Sequence, residues 1–143
     1  MKLLIADDEI LTRNGLVTSI DWKSLGIDQV FEASDGMEAY NTACTSKPDI
    51  ILSDIRMPRL SGIEFAEKIK EILPDTSLIF MSGYSDKEYL KAAIRLKAIT
   101  YVEKPLDLQE VKDSVQEAIN EHQTRLQTRS SMNLQSKETS SRL

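Results

Sequence analysis

The chain has 143 residues, 41% of them hydrophobic, which suits one domain with a substantial core and a short appendage. A formal net charge of −5 argues against a nucleic-acid-binding domain and against an anionic membrane surface. The single cysteine, Cys44, excludes an internal disulfide, and no apolar run approaches the length of a membrane span. We therefore expect a soluble cytoplasmic protein.

Five short apolar runs predict β-strands, at residues 2–6, 29–33, 49–53, 77–81 and 99–103. They have strand length and are rich in Ile, Leu, Val and aromatic residues. The first, third and fourth runs are almost continuously apolar, which is typical of parallel strands that are buried on both faces.

Segments with helical periodicity separate these strands, at 61–72 and 86–97 among others, and the last helix is predicted to begin near Asp107 as its N-cap. Because such crossover connections are right-handed, they place helices on both faces of the sheet. We predict a single α/β domain over residues 1–122, a doubly wound (βα)5 sandwich of flavodoxin type with parallel strand order 2-1-3-4-5. Residues 123–143 are polar and predict a linker or an extension of the last helix.

Polar residues follow four of the predicted strands: Asp7 and Asp8 the first, Asp54 the third, Ser82 the fourth and Lys104 the fifth. In the predicted strand order these four strands are neighbours, so the five side chains collect at one edge of the sheet. Clustered carboxylates raise one another's pKa, and a bound Mg²⁺ with all-oxygen ligands would compensate them. Lys104 suits a phosphoryl oxygen and Ser82 can donate to another. Asp54 is then the candidate nucleophile that forms an acyl phosphate.

Each of these motifs taken alone is also typical of a turn or a helix cap. Their combination at four neighbouring strand ends favours a functional site over four unrelated caps. Two other residues are assigned structural roles: His122, at a polar helix end, is not expected to be catalytic, and Cys44 is expected to pack as a small side chain within the second helix.

Four separated segments, "LLIADDE", "ILSDIRMPRLSGIEF", "MSGYSD" and "YVEKP", resemble the receiver domain of two-component response regulators. The resemblance covers about residues 1–122. It implies that Asp54 accepts a phosphoryl group from the phosphohistidine of a sensor histidine kinase. It also implies that Asp8 and Asp54 ligate Mg²⁺ directly and that Asp7 acts mainly through water.

The same resemblance implies further roles near the site. The backbone carbonyl of Arg56 would be a third Mg²⁺ ligand, and Lys104 would contact the phosphoryl group and precede Pro105 through a cis peptide bond. Ser82 and Tyr101 would form a switch pair, in which Ser82 moves to the phosphoryl oxygen and the Tyr101 ring follows inward. Only self-phosphorylation and self-dephosphorylation are implied, rather than an enzyme activity on other substrates.

Longer stretches, "DDEILTRNGLVTSIDW" and "SGYSDKEYLKAAIRLKAITYVEKP", resemble receivers that are joined to AraC-type helix-turn-helix DNA-binding domains. This resemblance implies transcription regulation by an output domain absent from the 143 residues, which we expect to be part of a longer regulator. DNA would be contacted only through that domain, and no membrane is implied. A homodimer through the 86–97 helix, the fifth strand and the last helix is a further expectation.

Three alternatives remain. A phosphatase with an aspartyl-phosphate intermediate typically carries an aspartate two residues after the nucleophile, where this chain has Arg56. A flavodoxin-type FMN module would place the phosphate near Asp7 and Asp8, which repel it unless a cation intervenes. A degenerate receiver would signal without phosphorylation, but the complete set of polar residues at the strand ends argues against that.

Overall fold

The computed structural model describes residues 1–83, 91, 94–98 and 100–141. Five parallel strands form one sheet in the order β2-β1-β3-β4-β5, which confirms the predicted topology. The strands are listed in chain order: β1 Lys2–Ala6, β2 Gln29–Ala33, β3 Ile50–Asp54, β4 Ser77–Ser82 and β5 Thr100–Glu103. Within the described residues, each strand end lies at most one residue from its predicted position.

Four α-helices of the described residues have these bounds, with the last one described as far as Ser141: α1 Ile10–Ser19, α2 Gly36–Ser46, α3 Gly62–Ile72 and α4 Leu108–Ser141. Side-chain caps fix where three of them begin, because an Asp or Ser oxygen accepts an otherwise unpaired backbone N–H of the first turn. These caps are Asp35 for α2, Ser61 for α3 and Asp107 for α4, the last as predicted. Most of the helix predicted over 86–97 lies outside the described residues.

The helices cover both faces of the sheet and bury two separate apolar layers. Successive strand residues alternate between the layers, as the pleat requires: Leu3 and Ile5 face the layer formed with α1 and α4, while Leu4 and Ala6 face the layer formed with α2 and α3. All residues of β3 and β4 are buried, which explains their continuously apolar sequence. The strand ends are therefore held rigidly by packing on both sides.

Helix α4 extends through residues 123–141, beyond the predicted domain. Within α4, His122 contacts the segments just before β4 and β3: Nδ1 lies 3.0 Å from the Asp75 carbonyl oxygen and Nε2 lies 3.1 Å from Asp49 Oδ1. The His122 side chain is 5% exposed. His122 is thus a buried anchor of α4 rather than a residue of a polar helix end.

Cys44 differs from its prediction, because it lies in α2 but its side chain is exposed rather than packed. The helix buries Ala39 and Ala43 instead, and these small residues allow it to approach the sheet. Cys44 directly follows the buried Ala43, and in a helix the next side chain is rotated away from the buried face.

Candidate functional site

The carboxyl ends of β1 and β3 bring three aspartates together. One carboxylate oxygen from each of Asp7, Asp8 and Asp54 lies within 4.8 Å of the others. Asp7 is fully buried and Asp54 is 6% exposed, while Asp8 is exposed. The cluster is therefore open to solvent on one side and embedded in the protein on the other.

Lys104 supplies the positive charge of the site from the end of β5. Its ammonium nitrogen lies 3.0 Å from Asp54 Oδ2, 3.3 Å from Asp7 Oδ2 and 3.5 Å from Glu9 Oε1. The Lys104 backbone N–H donates to the Ser82 carbonyl at 2.8 Å, and the peptide bond to Pro105 is cis. The lysine is thus tied to the neighbouring strand end and points across the sheet edge to Asp54.

The pKa values follow from burial and from these contacts. Burial is the largest contribution and raises the pKa of the Asp54 carboxyl to about 6, against the lowering by the Lys104 hydrogen bond and charge. The Asp7 carboxylate raises it further. For Lys104, burial lowers the pKa, but the hydrogen bond and charge of Asp54 and the charge of Asp7 outweigh it, so the pKa lies above its ordinary value.

The donor set fits a divalent cation. Three carboxylates meet one ammonium, and the buried Asp7 Oδ2 accepts no well-formed hydrogen bond from any group in the described part of the chain. An ion with oxygen ligands would satisfy this atom and reduce the repulsion that raises the Asp54 pKa. Mg²⁺ is usually bound through one or two carboxylates and keeps several waters, for which the exposed side of this cluster leaves room.

Close backbone packing fixes the position of Asp54. A Cβ on Gly62, the first residue of α3, would overlap the Asp54 carbonyl oxygen, so only glycine allows this approach. The Gly62 N–H donates to the Ile55 carbonyl at 2.7 Å, and the Ile55 N–H donates to the Met81 carbonyl at 3.2 Å. The chain after Asp54 therefore turns sharply out of the sheet and leaves the carboxylate at the strand end.

The other predicted site residues lie on or beside the strands that form this edge of the sheet. Ser82 is 3% exposed at the end of β4, next to Met81, which pairs with Asp54 in the sheet register. The Arg56 backbone N–H lies 3.4 Å from Asp54 Oδ1, while its side chain is in an exposed position. Tyr101 lies on the edge strand β5 and is 42% exposed.

A match to a known protein family identifies the family of the chain that carries this site. The family model described as "Response regulator receiver domain" matches residues 3–116. The chain belongs to the response regulator receiver domain family. The family membership expected from the four motifs is therefore confirmed.

Proteins similar to this receiver domain include transcriptional regulators. YesN of Bacillus subtilis is 34% identical over 120 residues, which cover 84% of this chain and 33% of that protein. HptR of Staphylococcus aureus is 36% identical over 106 residues, which cover 74% of this chain and 41% of that protein. The receiver thus spans a third to two fifths of the length of these curated relatives.

Two solved structures resemble the receiver closely. A two-component transcriptional regulator AraC from Clostridium phytofermentans is 51% identical, with a TM-score of 0.76 over 86% of this chain and 98% of that one. The receiver domain of AraT from Geobacillus stearothermophilus is 38% identical, with a TM-score of 0.78 over 85% of this chain and 97% of that one.

In the described part of this receiver, no helix is both long and apolar enough to span a bilayer.

A cavity of about 580 Å³ lies beside the site. Glu9, Lys104, Leu11 and Leu108 are among the residues that line it. Leu11 is 83% exposed and Leu108 is 41% exposed. The cavity thus places exposed apolar side chains beside Lys104, which contacts Asp54.

Arg13 contacts the site but was not among the sequence candidates. It lies in α1, and its guanidinium contacts the Asp7 backbone carbonyl. Its only sequence signal is its position, six residues after Asp7 and one helical turn after Glu9. A surface arginine of an amphipathic helix has the same pattern, so the sequence alone does not distinguish the two.

Proposed function

We propose that this receiver is a phosphorylation-dependent signalling switch of the cytoplasm, which accepts a phosphoryl group on Asp54 from a sensor histidine kinase. One observation carries the proposal: the Asp54 carboxylate lies at a buried strand end, 3.0 Å from the Lys104 ammonium and within 4.8 Å of the Asp7 and Asp8 carboxylates. This arrangement offers a nucleophile, a fixed cation and an ion site around one point, as phosphoryl transfer requires.

The chain's own residues perform the transfer. An Asp54 oxygen forms a bond to phosphorus as the phosphorus–nitrogen bond of the phosphohistidine breaks, and the imidazole leaves with that electron pair. Because the pKa of Asp54 is about 6, the carboxyl is mostly ionised at neutral pH and can act as the nucleophile. Lys104 remains charged throughout and is free to exchange its contact with Asp54 for one with a phosphoryl oxygen.

Mg²⁺, when bound, neutralises charge on the phosphoryl oxygens. We propose that Asp8 and Asp54 hold it directly, that Asp7 acts mainly through water, and that the Arg56 backbone carbonyl is a further ligand. The 3.4 Å approach of the Arg56 N–H to Asp54 Oδ1 supports the placement of this backbone beside the ion site.

The switch that follows is proposed to involve Ser82 and Tyr101. Ser82 is buried at the end of β4, from which its hydroxyl can turn toward a phosphoryl oxygen on Asp54. Tyr101 is half exposed on the adjacent strand, the outward position from which the proposed inward movement would start. Such a change biases a two-state surface around β5 and α4.

We propose that this surface controls an output domain, in keeping with the longer transcriptional regulators that the chain matches. The likeness to receivers of AraC regulators supports an AraC-type DNA-binding domain. Residues 1–122 would form the receiver, residues 123–143 would lead from it as an extension of α4, and a homodimer would form through the 86–97 segment, β5 and α4. Catalysis would be limited to phosphorylation and dephosphorylation of the domain itself.

Incubation with Mg²⁺ and acetyl phosphate, followed by intact-mass measurement, tests the proposal. We expect one phosphoryl adduct on the wild type, none after Asp54→Asn substitution and none in the presence of a chelator. Absence of a wild-type adduct, or an equal adduct on the variant, would refute the proposal. Turnover of a phosphomonoester would instead favour the phosphatase alternative, although Arg56 occupies the position where that class typically carries its acid.

A further inference from the structure

Arg13 makes two directed contacts from within α1. Its Nη1 donates to the Asp7 backbone carbonyl at 2.6 Å, and its Nε donates to Glu32 Oε1 at 3.2 Å. The Arg13 side chain is 12% exposed, far less than a typical surface arginine. The guanidinium therefore bridges the end of β1 to a neighbouring side chain of β2.

The contacts of Asp7 show what this bridge does. The Asp7 N–H donates to the Ala33 carbonyl at 3.0 Å, the Asp7 carbonyl accepts from Arg13, and Asp7 Oδ1 accepts from the Glu9 N–H at 2.9 Å. Three of the four polar atoms of Asp7 are thus fixed by the protein. The fourth, Oδ2, is the buried atom that faces Lys104 and the acidic cluster.

Charge alone does not explain the position of Arg13. Glu32 pairs with the guanidinium, so the net effect of the two charges on the electrostatic potential at the acidic cluster is small. Glu32 is itself placed by β2, where it pairs with Ile5 in the register of β1 and β2. The planar guanidinium can reach both acceptors at once, which a lysine ammonium on a flexible stem does less well.

We propose that Arg13 is a positioning residue of the acidic site: by holding the Asp7 backbone carbonyl, it directs Asp7 Oδ2 toward the divalent cation. The inference rests on the proposed function, because it assigns Mg²⁺ to the site. Arg13 acts through Asp7 and contacts neither the cation nor the phosphoryl group.

The test is calorimetric titration with Mg²⁺ and, separately, with Ca²⁺, on the wild type and on Arg13→Met, which keeps the apolar stem. Loss of a contact that orients a residue beside a bound metal typically weakens metal binding about tenfold or more, and we expect about tenfold here. Arg13→Lys should lose less, because it restores one donor. Lys23→Met, which removes an exposed cation after α1, is the matched control and should change Mg²⁺ affinity less than twofold.

The direction of the change separates positioning from charge. If Arg13 acted mainly by its charge, its removal would strengthen binding of a cation to the cluster. A weaker affinity supports positioning, and an unchanged or stronger affinity overturns it. If Arg13→Met does not fold, Arg13→Lys, which keeps the charge but loses the planar fork, should still weaken Mg²⁺ binding about two- to fivefold, and unchanged binding by this variant overturns the inference.

The comparison of ions separates positioning from a general loss of stability. Mg²⁺ requires near-ideal octahedral geometry, whereas Ca²⁺ accepts irregular ligand sets. A displaced Asp7 Oδ2 should therefore lower the ratio of Mg²⁺ to Ca²⁺ affinity, while destabilisation would lower both equally. An unchanged ratio overturns the inference.

Failure of this inference is distinguishable from failure of the proposed function. A wild type that forms the Asp54 adduct, with an Arg13→Met variant that binds Mg²⁺ as the wild type does, overturns the role of Arg13 alone. A wild type that binds Mg²⁺ without forming an adduct refutes the phosphorylation proposal, and the titrations still decide the role of Arg13. A wild type that binds no Mg²⁺ overturns both.

Discussion

Asp54→Asn is expected to stabilise the protein in the absence of divalent cations. In the folded state the Asp54 carboxylate is buried and lies near the Asp7 carboxylate, and its pKa is raised from 3.8 to about 6. At neutral pH the ionised Asp54 carboxylate therefore lowers the free energy of unfolding. The substitution removes that penalty, while the amide oxygen can still accept from Lys104.

The magnitude follows from the pKa difference. A difference of about 2 units corresponds to about 3 kcal/mol at full strength, and screening through the open side of the site reduces it to about 1–2 kcal/mol. The sign is fixed by proton binding: between pH 3.8 and about 6 the folded state holds the Asp54 proton more tightly than the unfolded state. The free energy of unfolding of the wild type thus loses this contribution as the pH rises through that window.

Urea unfolding at pH 4 and at pH 7.5, both with a chelator, measures the effect. The free energy of unfolding of the variant should exceed that of the wild type by about 1–2 kcal/mol at pH 7.5. This advantage should be smaller at pH 4. Added Mg²⁺ should stabilise the wild type more than the variant, because the variant lacks one carboxylate ligand. Glu117→Gln, at an exposed position of α4, is the control without such a pH dependence. A variant that is less stable at pH 7.5, or an advantage that does not change with pH, refutes the reasoning.

Three further substitutions probe the fold and the access to the site. Gly62→Ala should lower the free energy of unfolding in urea by about 1–3 kcal/mol, because its Cβ overlaps the Asp54 carbonyl. Gly15→Ala has open space around its Cβ and should stabilise the protein through α1 by about 0.5–1 kcal/mol. Equal effects of the two substitutions would contradict this expectation. His122→Gln should lower the free energy of unfolding by about 1–3 kcal/mol because it disturbs two buried hydrogen bonds, and Gln123→Ala beside it should have little effect. Leu11 lines the cavity beside the site, where we expect a sensor histidine kinase to dock. Leu11→Asp should therefore slow phosphotransfer from the kinase about tenfold without changing the rate with acetyl phosphate. Equal rates of phosphotransfer from the kinase to the wild type and to the variant would count against docking at this cavity.

The fold was largely predictable because its signals are local. Runs such as "DIILS" and "SLIFM" are continuously apolar since β3 and β4 are buried on both faces, and Asp35, Ser61 and Asp107 mark helix starts through their side-chain caps. The strand order then brings the strand ends together. That is why Asp7, Asp8, Asp54 and Lys104 could be assigned to one site before their distances were known.

Other features depend on contacts that the sequence does not encode locally. Arg13 and Glu32 are 19 residues apart and meet only because β1 and β2 are adjacent. His122 is surrounded by polar residues in sequence, but its partners Asp49 and Asp75 lie 73 and 47 residues away. Tertiary contacts of this kind convert an apparently exposed polar residue into a buried one, and periodicity cannot reveal them.

Chemical mapping of the phosphoryl group tests the central claim most directly. The protein is treated with Mg²⁺ and acetyl phosphate, and the acyl phosphate is then reduced with borohydride, which converts a phosphorylated aspartate into homoserine. Peptide mass spectrometry locates the product. We predict homoserine at position 54 alone, and none when the chelator replaces Mg²⁺. Homoserine at position 7 or 8 instead, or no reduced residue at all, would contradict the claim that Asp54 is the phosphoryl acceptor.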